Sequence, residues 1–200
     1  MTRFLLRIEN RGYGPEQLAQ VRLMLKKISH NISNIRVSSR AIEFDFFADS
    51  EEELPRDELQ TALGRILLFK PLTSSYSNSD DPIGEAMHLY KEERFWEAHE
   101  VLEGRWRIEK DVEKRELLQS LILLCAALVH MQKGRDSVSL GILKRAEEKI
   151  SKYLKDRNEL FGIDFSDLKE EIKRVIDEGK PRIVNIKFNP GSDLLTDAKL

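Results

Sequence analysis

Hydrophobic residues in the N-terminal part of the chain change from an every-second spacing to a helical spacing and back. Phe4, Leu6 and Ile8 alternate with Leu5 and Arg7, which predicts a strand because successive strand residues point to opposite faces of a sheet. The predicted elements are strand Phe4–Ile8, helix Glu16–Ile28, a turn at Asn31–Asn34, strand Ile35–Val37, strand Ala41–Phe47, helix Pro55–Gly64 and strand Ile66–Leu72. The order βαββαβ predicts a ferredoxin-like sandwich, in which the helices cover one face of an antiparallel sheet.

From Pro82 onward the apolar residues recur every three or four positions, which predicts a mainly α-helical region. The predicted helices are Pro82–Lys91, Phe95–Arg107, Asp111–Met131, a fourth capped by Asp136 or Ser137 that reaches Leu154, and a fifth from the cap Ser166 to Gly179. Asp81 followed by Pro82 is a typical helix start, with the aspartate as N-cap. The third helix is apolar nearly all round and should be central. The predicted fold class is α+β: an N-terminal ferredoxin-like sandwich followed by a multi-helix bundle.

The two patterns meet at a polar, turn-rich stretch, Thr73–Asp80, and such a composition marks a domain boundary. We therefore predict a ferredoxin-like domain at residues 1–75, a linker at 76–81, a helical bundle at 82–180 and an extended C-terminal arm at 181–200. The arm carries Ile183 and Val184, which could dock onto the N-terminal sheet or onto a second subunit.

Composition and charge argue against several classes of partner. Lys and Arg number 33 and Asp and Glu number 35, so the formal net charge is −2 and no overall field attracts nucleic acid or an anionic membrane. Phe44 and Phe46 on a predicted strand are of the type that stacks RNA bases. Their neighbours Glu43 and Asp45 are acidic, however, and we expect both phenylalanines in the core. Nucleic-acid binding is therefore not expected.

No segment predicts a membrane or secreted protein. The longest apolar run, Leu121–Val129, is about half the length that a bilayer-spanning helix needs, and the start of the chain is too charged for a signal peptide. The single cysteine, Cys125, lies in this run, which predicts an inert core thiol rather than a nucleophile. A cytoplasmic location is expected.

The residues that suggest chemistry lie on the predicted helix Phe95–Arg107. At 100° per residue, His99, Glu103 and Trp106 fall within about 60° of one another on its surface. Apolar side chains share this stripe, so the sequence predicts a titratable pair in a buried face, and such groups are either tightly paired or functional. His99 and Glu103 are one helical turn apart, which suits two ligands of a divalent metal or an acid–base pair. A metal-free hydrogen-bonded pair is the favoured interpretation.

The next helix limits which side chains can reach this pair. A short connection makes the two helices antiparallel, so residues whose numbers sum to about 221 lie opposite each other. Gln119 is then expected to hydrogen-bond Glu103 or His99. His130 lies about 12 Å further along the axis, which argues against its sharing an ion with His99. Glu97 and Glu100 point more than about 90° away from His99 on the helical wheel.

A basic cluster surrounds the connection between these two helices. It consists of Arg105, Arg107, Lys110, Lys114 and Arg115. Acidic residues are interspersed with it, which predicts a solvated surface of mixed charge.

The helical half resembles a known family. The segment Phe95-Trp96-Glu97-Ala98-His99-Glu100-Val101-Leu102-Glu103, followed by Trp106-Arg107, Leu118-Gln119-x-Leu121-Ile122, Ala126-Ala127, His130, Gly134 and Gly141-x-Leu143-x-x-Ala146, resembles domain-of-unknown-function family 309 over about residues 82–155. The resemblance implies a compact prokaryotic helical bundle with no established activity. Its signature falls on His99, Glu100, Glu103, Trp106, Gln119 and His130. Besides the pair His99 and Glu103, the candidate binding residues are Glu100, Trp106, Arg107, Gln119 and His130.

Three functions remain open. The favoured one is a binding or scaffold module for an unknown protein or small molecule, in which His99, Glu103 and Trp106 form a buried structural network. The first alternative is a metal-dependent or acid–base enzyme, hydrolase-like, that uses His99 and Glu103, with a divalent metal as its candidate cofactor. The second alternative is a weak nucleic-acid binder that uses the N-terminal sheet. A homo-oligomer is compatible with each.

Overall fold

The computed structural model describes residues 1–72, 79–154 and 158–190. The chain divides into two compact units, the N-terminal sheet with its helices and the helices that follow. The predicted linker at 76–81 lies partly outside the described residues, and so does the last part of the predicted arm, 191–200.

The N-terminal unit has the predicted βαββαβ order. Its elements are β1 (Thr2–Glu9), α1 (Leu18–Ile28), β2 (Ile32–Val37), β3 (Ala41–Ala48), α2 (Arg56–Ala62) and β4 (Ile66–Pro71). The sheet order is β2-β3-β1-β4, and every neighbouring pair is antiparallel. Strand β1 therefore lies between β3 and β4, and the ferredoxin-like α+β prediction is confirmed.

One predicted element of this unit is wrong. The asparagine-rich stretch at Asn31–Asn34 is not a turn, because β2 already begins at Ile32. Its pairing with β3 is irregular between Ser33 and Arg36, and Asn34 has a left-handed φ of 51°. Asparagine tolerates that backbone conformation, so the turn-forming residues mark a bulge inside the strand.

The two faces of the sheet differ in chemistry. Phe4, Leu6 and Ile8 of β1 pack with Phe44 and Phe46 of β3 in the hydrophobic core of this unit. Phe44 and Phe46 are 0% and 2% exposed, so the expectation that they are core residues is confirmed. Side chains this deeply buried offer no surface on which bases could stack.

The alternate positions of the same strands carry a buried ionic network. Asp45 accepts hydrogen bonds from Arg3 at 2.7 Å and from Asn34 at 2.6 Å. Glu43 lies 3.3 Å from Arg36 and 3.5 Å from Arg7. Strand alternation alone predicts a solvated polar face here, but these two carboxylates are 0–2% exposed. Paired charges of opposite sign make this burial tolerable.

The C-terminal unit is built from five helices among the described residues. They are α3 (Pro82–Lys91), α4 (Phe95–Ile108), α5 (Val112–Gln132), α6 (Asp136–Tyr153) and α7 (Phe165–Glu178). A hairpin of two short strands, β5 (Glu159–Leu160) and β6 (Ile163–Asp164), precedes α7. Asp81 caps α3 by accepting a hydrogen bond from the Gly84 N–H at 2.9 Å, as predicted. No described helix is long and apolar enough to cross a membrane.

The predicted caps of the last two helices are wrong. Asp136 is the first residue of α6, and the preceding Arg135 makes no side-chain capping bond. Asp164, not Ser166, caps α7 by accepting a hydrogen bond from the Asp167 N–H at 3.0 Å. The short strand β6 brings Asp164 to the helix start, and sequence spacing did not reveal that strand.

The hairpins α3–α4 and α5–α6 are joined by the same type of turn. In the first, the Arg94 N–H donates to the Leu89 carbonyl at 2.9 Å, and Glu93 has a φ of 58°. In the second, the Arg135 N–H donates to the His130 carbonyl at 3.0 Å, and Gly134 has a φ of 62°. The two hairpins can therefore be aligned at an offset of 41 residues, from Arg94 to Arg135.

The described part of the predicted arm packs onto its own helical unit. Val184 is 0% exposed and belongs to the core of that unit. Its carbonyl accepts a hydrogen bond from the Tyr90 hydroxyl at 2.7 Å, and Arg182 donates to Glu171 at 2.7 Å. The expectation that Val184 docks onto the N-terminal sheet or a second subunit is therefore wrong, although Ile183 stays 39% exposed.

Candidate functional site

The stripe of His99, Glu103 and Trp106 lies at the edge of the buried face of α4, not inside it. Phe95, Ala98 and Leu102 are all 0% exposed. The His99 and Glu103 side chains are 24% and 33% exposed, and Trp106 is half-buried. The prediction that the pair lies in the buried face is wrong, because the core of the unit is centred on the neighbouring stripe, roughly 60–100° away around the helix.

His99, Glu100 and Glu103 bring three potential metal ligands together. One donor atom from each residue lies within 4.8 Å of the other two. The His99 Nδ1 atom lies 3.5 Å from the Glu100 Oε1 atom. The helical wheel had Glu100 pointing away from His99, but the flexible glutamate side chain bends back across the helix surface. We call these three residues the donor cluster.

The expected hydrogen bond between His99 and Glu103 is not formed. Glu103 instead accepts a hydrogen bond from Arg107 at 3.0 Å. The His99 Nδ1 atom is inaccessible to solvent and has no hydrogen-bond partner in the described part of the chain. A buried ring nitrogen that lies beside a carboxylate but makes no hydrogen bond is unusual for a structural polar network.

Trp106 marks the end of α4 that is nearer the connection to α5. The guanidinium of Arg115, on α5, lies 4.3 Å from the centroid of the indole ring, a cation–π distance. The residue numbers 106 and 115 sum to the value of about 221 expected for an antiparallel hairpin. The indole Nε1 atom is buried and has no acceptor among the described residues.

The connection between α4 and α5 is organised by Glu109. Its carboxylate accepts hydrogen bonds from the Lys110 and Asp111 N–H groups, both at 2.9 Å, and from Arg105 at 2.5 Å. Partial burial by itself would raise the pKa of Glu109, but these bonds and the Arg105 charge hold it below its usual value. Of the predicted basic cluster, Arg105 and Arg107 are thus paired with glutamates.

The two remaining candidate binding residues lie outside the donor cluster. Gln119 is half-buried on α5 and makes no hydrogen bond to Glu103 or His99 in the described structure, so this expectation is wrong. Its neighbour Glu116 forms an ion pair with Lys149 of α6 instead. His130 lies in the last turn of α5 and is not among the clustered donors, in keeping with the predicted register.

Cys125 lies in the core of the helical unit. It is 1% exposed, and burial raises its pKa to about 12. A thiol with so high a pKa carries almost no thiolate near neutral pH. The prediction of an inert core residue is consistent with this environment.

The comparisons with known proteins agree with the resemblance seen in the sequence. The family model described as "Domain of unknown function (DUF309)" matches residues 83–141, a shorter stretch than the 82–155 expected from the motif. No curated protein and no solved structure matches the chain. The matched residues span α3, α4, α5 and the start of α6, and they include the whole donor cluster. The segment that carries the candidate site, residues 83–141, is therefore similar to the family described as a domain of unknown function, DUF309.

Proposed function

We propose that the helical unit is a binding module for a divalent transition-metal cation, held by His99, Glu100 and Glu103. The observation that carries the proposal is the convergence of one imidazole and two carboxylates within 4.8 Å on one helix. The three residues are half-buried, so a cation can reach the cluster from solvent, although the His99 Nδ1 atom itself is covered. The two carboxylates match the charge of a divalent ion once Glu103 releases its exposed partner, Arg107.

The second hairpin provides an internal comparison that favours binding over a structural network. At an offset of 41 residues, His99, Glu100 and Glu103 correspond to Leu140, Gly141 and Lys144. Some buried apolar residues are the same in both hairpins, since Ala86 corresponds to Ala127 and Leu102 to Leu143. The same turn and the same helix start thus form without the three donors. A hairpin of this type therefore does not need the three donor residues in order to fold. Ligand binding explains their presence on α4 better than a structural role does.

The donor types indicate which cations suit the cluster. Imidazole nitrogen favours zinc, iron, nickel or copper, whereas magnesium and calcium prefer all-oxygen sites. Metal–ligand bonds of about 2.0–2.2 Å require the three side chains to close slightly around the ion. Three protein ligands leave at least one coordination position for water or a substrate atom, as in catalytic zinc sites. Hydrolase-like chemistry at His99 and Glu103 is therefore the enzyme function to test once a metal is found.

Metal analysis of purified protein, followed by calorimetric titration with Zn²⁺, Mn²⁺ and Mg²⁺ after EDTA treatment, tests the proposal. We expect one equivalent of Zn²⁺ to bind more tightly than Mg²⁺, and His99→Ala and Glu103→Gln to weaken binding at least tenfold. Glu148→Gln is the matched control, because Glu148 is exposed on α6 and outside the donor cluster. No stoichiometric binding, or equal losses in the control and the cluster variants, would overturn the proposal.

A further inference from the structure

We propose that Arg115 and Trp106 form a subsite for an oxyanion, a phosphate or carboxylate group, beside the donor cluster. The subsite itself stands on contacts of α4 and α5 that involve no metal. Only the idea that one ligand bridges the oxyanion subsite and the cation rests on the proposed function.

Arg115 differs from its neighbours in the basic cluster. Arg105 and Arg107 are paired with Glu109 and Glu103. In the part of the chain that the structure describes, the half-buried guanidinium of Arg115 pairs with no carboxylate, and it is held against the indole ring at 4.3 Å. A guanidinium that lies over an aromatic ring can still donate hydrogen bonds from its N–H groups. That planar fork matches two oxygens of a phosphate or carboxylate.

Trp106 carries a second unsatisfied donor. Its Nε1–H group is buried without an acceptor among the described residues, although buried donors in native proteins almost always have a partner. Trp106 and Arg115 are in direct contact, so an anion bound at Arg115 neutralises the guanidinium and, once the ring shifts, can accept from the covered indole N–H. No side chain described here supplies such an oxygen.

The helical spacing places this subsite next to the donor cluster. Trp106 follows Glu103 by three residues, so their Cβ atoms are neighbours on the helix surface, about 5–6 Å apart. A ligand that presents an anionic oxygen to Arg115 can therefore offer a second oxygen to an open position on the cation. The ligand class that fits both sites is a small phosphorylated or carboxylate-bearing chelator.

Tryptophan fluorescence and calorimetry with simple anions test the subsite. Inorganic phosphate and acetate are titrated separately into EDTA-treated protein in a Trp96→Phe background, so that Trp106 is the only indole that reports. We expect saturable binding of at least one anion, and the anion that binds identifies phosphate or carboxylate as the preferred group. In Arg115→Gln the affinity should fall at least tenfold, whereas Arg145→Gln, an exposed arginine of α6, should leave it unchanged.

Two results would overturn the subsite: Arg115→Gln that binds as tightly as the parent protein, or Arg145→Gln that loses as much. Circular dichroism of each variant ensures that a loss of binding is not a loss of folding, and Arg115→Lys, which keeps the charge without the planar fork, should also bind more weakly. Because these titrations contain no metal, they can fail while Zn²⁺ still binds, and the reverse also holds. If both succeed, phosphate or acetate should tighten Zn²⁺ binding, and Zn²⁺ should tighten anion binding by the same factor.

Discussion

Truncation of His99 to alanine separates a binding role from a structural role through the free energy of unfolding. The side chain is 24% exposed, and its Nδ1 atom makes no hydrogen bond among the described residues. Removing the ring therefore costs mainly its packing, because the one charged contact of Nδ1, to Glu100, is long at 3.5 Å. Full burial of an aliphatic side chain is worth about 1.5–3 kcal/mol, and we expect about 1 kcal/mol for a partly polar, partly exposed ring. Alanine also has the higher helix propensity, by up to about 0.7 kcal/mol, so the net loss should lie at or below about 1 kcal/mol.

Urea denaturation followed by circular dichroism, with EDTA present, measures this loss. Leu102→Ala calibrates the scale, because Leu102 is 0% exposed and such a truncation costs about 2–5 kcal/mol. A structural hydrogen-bonded pair predicts a larger effect of His99→Ala, because an orphaned buried partner costs about 1–3 kcal/mol and more if it is charged. A loss in His99→Ala that approaches the loss in Leu102→Ala would refute the reasoning.

The same denaturation curves with added Zn²⁺ give the second half of the prediction. A ligand that binds only the folded state stabilises it by about 2.7 kcal/mol at one hundred times its dissociation constant. The parent protein should gain this stabilisation, and His99→Ala should not. An equal gain in both proteins would place the binding site elsewhere.

Three further predictions follow from single contacts. Ser139→Ala should leave the urea midpoint unchanged or raise stability by up to about 1 kcal/mol, because the Ser139 hydroxyl is buried without a partner in the described structure; a clear loss would reveal an acceptor. Tyr90→Phe should cost about 1 kcal/mol and speed hydrogen exchange of residues 182–188, since it removes the bond to the Val184 carbonyl; unchanged exchange would contradict this. Burial raises the pKa of Cys125 from 9.0 to about 12, so the folded protein should not react with a thiol reagent at pH 8. The unfolded thiol ionises first, so stability should fall between pH 9 and 12. A Cys125→Ala variant should show a smaller decline, because burial also raises the pKa of the Tyr90 hydroxyl, which adds to the loss of stability at alkaline pH.

Sequence periodicity predicted most of the fold because it reports on local geometry. A period of two in β1 and β3 and a helical period in α3–α6 each follow from which side chains must face a core. The hairpin register placed residue 106 opposite residue 115, and the observed contact of Trp106 with Arg115 agrees with it. The errors lie at the ends of elements. The cap of α7, for example, is the last residue of a short strand that the sequence did not predict.

The sequence predicted where the candidate site lies, but side-chain conformation decided which residues form the donor cluster. His99 and Glu103 follow from helical spacing, whereas Glu100 reaches His99 only because its flexible side chain folds back over the helix. A helical wheel gives only the direction in which each side chain leaves the helix axis. It therefore cannot predict a contact made by a side chain that bends sideways. Likewise, Glu103 accepts a hydrogen bond from Arg107 on its own helix and forms none with His99.

The sequence by itself determined the α+β class, the strand and helix order, the apolar faces that form the cores and the buried position of Cys125, because each depends on residues close together along the chain. Tertiary structure alone decided the burial of Asp45, Glu43 and Arg36, the docking of Val184 against Tyr90 and the position of His99 at the edge of the core. Those features depend on which distant segments cover a given face, and no local period encodes that information.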